Sequence, residues 1–166
     1  MDAHCLSDGR WALGMLLRME DGRLVRAKTK VVHGFDKAIE AEALGLEAAI
    51  EFVDFFKDRR NTMEMDATND LVDQFRKRRI IIEMDNRVVV KAVQSGKYPR
   101  TYWGKIARND GDYIRGDTQT TINWVCRNGN KAAHEIARWA KIEPNKTWVG
   151  NFALCKAYPK RYDASF

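Results

Sequence analysis

Ile80-Ile81-Ile82 is the segment that most narrows what this chain can fold into. A β-branched run without polar alternation is the pattern of a strand buried on both faces, and such strands belong to parallel sheets covered by helices. The run closes on Glu83-Met84-Asp85-Asn86, and Arg87 to Gln94 resumes as a helix closed by Ser95-Gly96. A buried strand that turns straight into a helix is half of a βαβ unit, so the class is α/β.

The chain before that point reads differently. A short strand at Met1 to His4, an apolar strand from Trp11 to Met19, the Asp21-Gly22 turn signal and a return strand from Leu24 to Val32 form an antiparallel meander. Asp36 can cap a helix in which Ile39, Ala43, Leu46, Ile50 and Val53 recur on one buried face. Downstream, Tyr102 to Arg115 reads as a helix weakened by Gly104 and Gly111, Thr120 to Val125 as a strand, and Lys131 to Ala140 as a last helix capped by Asn130. The order is β-β-β-α-β-α-α-β-α: a meander followed by crossovers into parallel strands.

One domain over residues 1–140 accounts for this order, interrupted at 57–79 by a charged stretch of weak periodicity that reads as a surface insertion. Residues 141–166 form a tail whose Trp148, Phe152, Leu154 and Tyr158 supply enough apolar mass to dock on the body. No internal repeat and no second domain is visible in the 166 residues, and a monomer is expected.

Lys and Arg number 29 against 23 Asp and Glu, a net charge of +6 that suits a polyanionic partner. Charge alone leaves open a basic protein with no such partner. Cys5, Cys126 and Cys155 are odd in number and lack a CxxC pair, so neither a disulfide framework nor a zinc signature is expected, and a reducing intracellular compartment fits best. There is no signal-peptide pattern and no apolar run long enough to span a bilayer, so no membrane partner is expected.

Three acids stand in telling places. Asp2 is in the first strand, Glu42 at the margin of the buried helix face, and Asp85 at the carboxyl end of the triple-isoleucine strand, where ligand sites of open α/β sheets gather. Hard oxygen ligands from separate elements suit Mg²⁺, and a pair of such ions can clamp both oxygens of a phosphodiester displacement. Each residue also has an ordinary explanation: Asp85 or Asn86 as a helix cap, Glu42 as the partner of a lysine, Asp2 as a frayed end.

Taken in order, Asp2-Ala3, Asp21-Gly22, Ala41-Glu42-Ala43-Leu44, Ile82-Glu83-Met84-Asp85 and Val125-Cys126-Arg127-Asn128-Gly129-Asn130-Lys131-Ala132-Ala133-His134 form a series. The series resembles the plant ribonuclease H type-1-like family, related to the reverse-transcriptase portion of retroelements. The resemblance runs from Asp2 to about Ala140. It implies a ribonuclease-H-like fold, a five-stranded mixed sheet flanked by helices. It also implies endonucleolytic hydrolysis of the RNA strand of RNA–DNA hybrids, with Asp2, Glu42 and Asp85 as the metal-binding acids and Mg²⁺ as the ion, Mn²⁺ being an alternative.

Two departures matter. The family's fourth metal-site acid falls on His134, whose imidazole is a poor ligand for Mg²⁺ but can serve Mn²⁺ or move a proton. Glu135 beside it points about 100° away on a helix and is no substitute. The family's first acid sits inside a strand, whereas only Met1 precedes Asp2 here. For substrate contact, Lys97, Arg100 and Lys105 mix with Tyr98, Tyr102 and Trp103, and Arg127 precedes the last helix. A binding module that keeps the fold without hydrolysis is the rival reading; a protein-interaction domain built on residues 57–79 is a third.

Overall fold

The computed structural model describes residues 1–6, 9–34, 36–57 and 78–149. Strand β1 (Asp2–Cys5) pairs antiparallel with β2 (Trp11–Arg18), and β2 with β3 (Leu24–Val32). The β2–β3 turn works as its sequence predicts: Gly22 takes a φ of 81°, and the Asp21 carboxylate accepts from the Arg23 N–H at 2.9 Å. Helix α1 (Ala38–Lys57) follows, then β4 (Ile80–Met84), α2 (Arg87–Ser95), α3 (Tyr102–Gly116), β5 (Thr120–Trp124), α4 (Lys131–Trp139) and β6 (Thr147–Val149). No helix among the described residues is long and apolar enough to cross a membrane.

The sheet departs from the five strands expected. Six strands are present among the described residues, and they divide into a four-stranded sheet ordered β1-β2-β3-β6 and a parallel pair β4-β5. The extra strand, β6, lies in the stretch expected to be tail and pairs antiparallel with β3. Three residues are too few to show a period of two, which is why the sequence does not announce it. Between β1 and β4 there is no ladder; the Met1 amine donates to the Glu83 carbonyl at 2.7 Å across that seam.

Strand β2 is covered on both faces. Leu13 and Met15 join Leu46, Ile82, Met84, Val89, Val90, Ala107 and Ile122 in the main core beneath α1. Ala12 faces the other way, into a small cluster with Leu6 and Ala140 beside α4. Helix α4 lies over β1, β2 and β3 and comes very close at Gly14: a Cβ there would meet the Ala137 nitrogen at 2.3 Å and the Ala133 carbonyl oxygen at 2.4 Å. Only glycine permits that approach.

The isoleucine run is buried on one face, not two. Ile80 and Ile82 are buried, but Ile81 is 55% exposed. The cause is the placement of α4, which covers the antiparallel strands and leaves the outer face of β4 and β5 open among the described residues. Helix α1 begins at Ala38 rather than directly after Asp36, and it runs through Lys57, the residue at which the insertion was expected to start. Residues 58–77 of that insertion, with its expected short helix, and residues 150–166 of the tail lie outside the described residues.

Gly104 and Gly111, which weaken the sequence signal for α3, have a packing reason. A Cβ at Gly104 would meet the Pro99 carbonyl oxygen at 2.1 Å, and one at Gly111 the Tyr98 hydroxyl at 1.9 Å. The 97–101 loop is thereby seated on the helix, and the Tyr98 hydroxyl accepts from Arg115 at 3.0 Å.

Candidate metal centre

Asp2, Glu42 and Asp85 come from β1, from α1 and from the residue after β4, up to 83 positions apart in sequence, and each offers a carboxylate oxygen within 4.8 Å of the other two. Three local features put them there. Asp2 is opposite Gly14 in the β1–β2 register, so it sits where α4 approaches most closely. Ala41 and Ala43, both fully buried, flank Glu42 at about 100° on either side of α1, so the arc between them, which holds Glu42, faces the interior. Asp85 leaves the strand end as Asn86 caps α2, accepting from the Val88 and Val89 N–H groups at 3.1 and 3.2 Å. The cap is therefore Asn86, which leaves Asp85 available.

Burial and mutual repulsion shape the electrostatics. Burial, then the nearby Asp2 and Asp85 charges, push the Glu42 carboxyl up to about 8, while the Ala3 N–H and the Met1 amine work in the opposite direction. Asp2 is raised mainly by burial, against the lowering effect of its hydrogen bond with His134. Oxygen Oε2 of Glu42 is buried with no hydrogen-bond partner. A buried carboxylate oxygen without a donor, facing two further carboxylates, is costly unless a proton or a cation meets it. The donor set is all oxygen, from three elements, and fits a hard divalent ion.

His134 is drawn into this group. Its Nδ1 lies 2.6 Å from Oδ2 of Asp2, and its ring stands edge-on to His4 with centroids 5.6 Å apart. Glu135 instead pairs with Arg138 at 3.4 Å, away from the carboxylates. Asn130 holds a place that sequence reasoning missed. It precedes α4 as expected, but its side chain makes no capping bond; Nδ2 donates to the Met1 carbonyl at 2.9 Å and to Oδ1 of Asp85 at 3.3 Å. Its partners are 129 and 45 positions away, so no local pattern could have revealed it.

The cationic residues singled out for substrate contact are all exposed: Lys97, Arg100, Lys105 and Arg127. Lys97 and Arg100 flank Tyr98 on the loop seated against α3, Lys105 stands on the first turns of α3, and Arg127 lies in the turn before α4. Trp103 is partly buried against the main core, which is the ordinary role weighed for it.

Residues 70–140, fewer than half of the chain, match the family model described as "Reverse transcriptase-like". The matched stretch holds Asp85, Asn130 and His134 but neither Asp2 nor Glu42. Among solved structures, the chain is similar to RNase H1 from the halophilic archaeon Halobacterium salinarum NRC-1. Identity is 20%, the match covers 86% of this chain and 94% of that one, and the TM-score is 0.61. No curated protein matches the sequence. The shared architecture makes this an α/β domain of ribonuclease-H-like fold.

Proposed function

We propose that this ribonuclease-H-like domain is a metal-dependent endonuclease that hydrolyses the RNA strand of RNA–DNA hybrids. The observation that carries the reading is the convergence of Asp2, Glu42 and Asp85 within 4.8 Å, with Oε2 of Glu42 buried and unpartnered. A divalent cation held by these three would supply Lewis-acid activation at the phosphodiester. Mg²⁺ suits the oxygen ligands, and Mn²⁺ is better tolerated where an imidazole stands nearby.

The chain's own residues divide the remaining work. Asn130 holds Oδ1 of Asp85 and so fixes the direction of that carboxylate. His134, whose Nδ1 lies 2.6 Å from Oδ2 of Asp2, would stand where an imidazole can help move a proton of the attacking water. Lys97, Arg100, Lys105 and Arg127 would meet phosphates along a duplex recognised by shape and 2′-hydroxyls. The partly family-level features, a plant type-1-like subfamily and a retroelement relation, rest on the ordered motif series alone.

A second reading is favoured by one observation: His134 engages an oxygen of Asp2 that a full four-acid site would turn toward metal. On that reading the domain binds hybrid without cutting it. A gel assay with a labelled hybrid in Mg²⁺, in Mn²⁺ and in chelator separates them. Cleavage in a divalent ion and none in chelator is expected; intact hybrid that is still retained by the protein selects the binding module.

A further inference from the structure

Trp124 ends β5 opposite Met84 in the parallel register. Its indole N–H donates to the Asp85 backbone carbonyl at 3.1 Å, and the Arg87 guanidinium carbon lies over the ring, 5.5 Å from its centroid. Yet 46% of the residue is exposed, and Val88 beside Arg87 is 55% exposed. Met84, the partner of Trp124 in the register, is fully buried, whereas nearly half of this large ring faces solvent. A large aromatic is thus held in one orientation by a hydrogen bond and a stacked cation, open to solvent, one backbone group from a carboxylate of the candidate metal centre.

We propose that Trp124, with Arg87, is a stacking platform for an unpaired nucleotide, and that the domain prefers hybrids that continue into single strand. The inference rests on the hybrid-binding reading above and deepens it. Bases within a duplex have both faces covered by their neighbours; an unpaired base has a free face for an indole. Such stacking tolerates any base, and an arginine at the ring adds attraction to the base and its phosphate. The preorganised ring loses little conformational freedom on binding.

The test uses the full chain in chelator, so that binding is read without hydrolysis, by anisotropy of a labelled hybrid. Three versions are compared: blunt, tailed at every end with unpaired pyrimidines, and tailed with abasic sugars that carry the same phosphates. The wild type should bind the pyrimidine-tailed hybrid roughly 5- to 100-fold more tightly than the abasic-tailed one. Trp124→Ala should abolish that difference and leave blunt-hybrid affinity unchanged, while Trp124→Phe should retain part of it. Should Trp124→Ala not fold, tryptophan fluorescence decides instead: quenching by the pyrimidine tails must disappear in Trp124→Phe. Equal affinity for the two tailed hybrids, or a preference that survives in folded Trp124→Ala, overturns the platform while leaving hybrid binding intact. Absence of binding to all three overturns the hybrid reading and the platform with it.

Discussion

Nδ1 of His134 and Oδ2 of Asp2 lie 2.6 Å apart, so an imidazole from α4 reaches directly into the cluster of three carboxylates. A site of three carboxylates and one imidazole carries less negative charge than four carboxylates and holds Mg²⁺ less strongly. Any hydrolysis should therefore be slow in Mg²⁺ and faster in Mn²⁺, and His134→Asp should raise the Mg²⁺-supported rate. The comparison needs matched ionic strength, because salt alone alters hybrid binding. An unchanged Mg²⁺ rate in the variant, with no Mn²⁺ preference in the wild type, would remove position 134 from the metal site.

Asp85→Asn should abolish cleavage while sparing hybrid binding. The substitution removes a ligand charge, yet its amide oxygen can still accept from Asn130, so the local packing survives. Single-turnover cleavage and hybrid affinity, measured on the same preparation, check this. Equal loss of both would point to misfolding, and undiminished cleavage to a wrong assignment.

Asn130→Ala should cost about 1–3 kcal/mol of stability, because the Met1 carbonyl loses the donor it has in a buried setting. Urea unfolding reads the loss. Divalent-ion affinity, followed by calorimetry, should fall as well, since Asp85 loses its tether. Affinity unchanged beside reduced stability would confine Asn130 to a structural part.

Gly14→Ala should destabilise the fold by ~1–3 kcal/mol or more, since the new methyl meets backbone atoms of α4 rather than a side chain that can turn aside. The helix must retreat, and His134 with it. A smaller Mn²⁺ preference in whatever activity remains is the second expected sign. A variant as stable as the wild type would show that α4 yields at no cost.

Asp110, on α3, is buried with one carboxylate oxygen unpartnered, and burial, then Glu47 and Glu51 of α1, push it up from 3.8 to about 8. Between those values the folded chain keeps a proton that the unfolded chain releases. Stability contributed here is present at low pH and falls as pH rises toward 8. Asp110→Asn should therefore raise the urea midpoint more at about pH 8 than at about pH 5. Equal effects at both would mean that Asp110 does not titrate in that window.

Much of the fold is legible because its signals are local. Leu24–Val32 is bounded by a turn and by Gly34 and appears as the sequence predicts, and α2 is bounded by Asn86 and by Gly96 at a φ of 67°. The three acids are legible through their placement on three elements together with the motif series. What stays hidden depends on neighbours far along the chain. The exposure of Ile81 follows from where α4 lands, and α4 lands there because Gly14 lacks a side chain. Asn130 looks like a cap from its position, and only the fold shows its amide turned toward Asp85 and Met1. The platform at Trp124 is equally silent in sequence, since an apolar residue ending a strand reads as core.

The seam between the two sheets gives the candidate metal centre a second meaning. Asp2 belongs to the four-stranded sheet and Asp85 follows the parallel pair, with the Met1 amine bonded to the Glu83 carbonyl between them and no ladder alongside. An ion gripped from both sides would act as a rivet through that joint. Its binding energy would add to the cohesion of the two halves as well as to chemistry. Chelation would then soften the domain along the line where β1 meets β4, and a hybrid laid over the same line would meet a firmer surface whenever the rivet is in place.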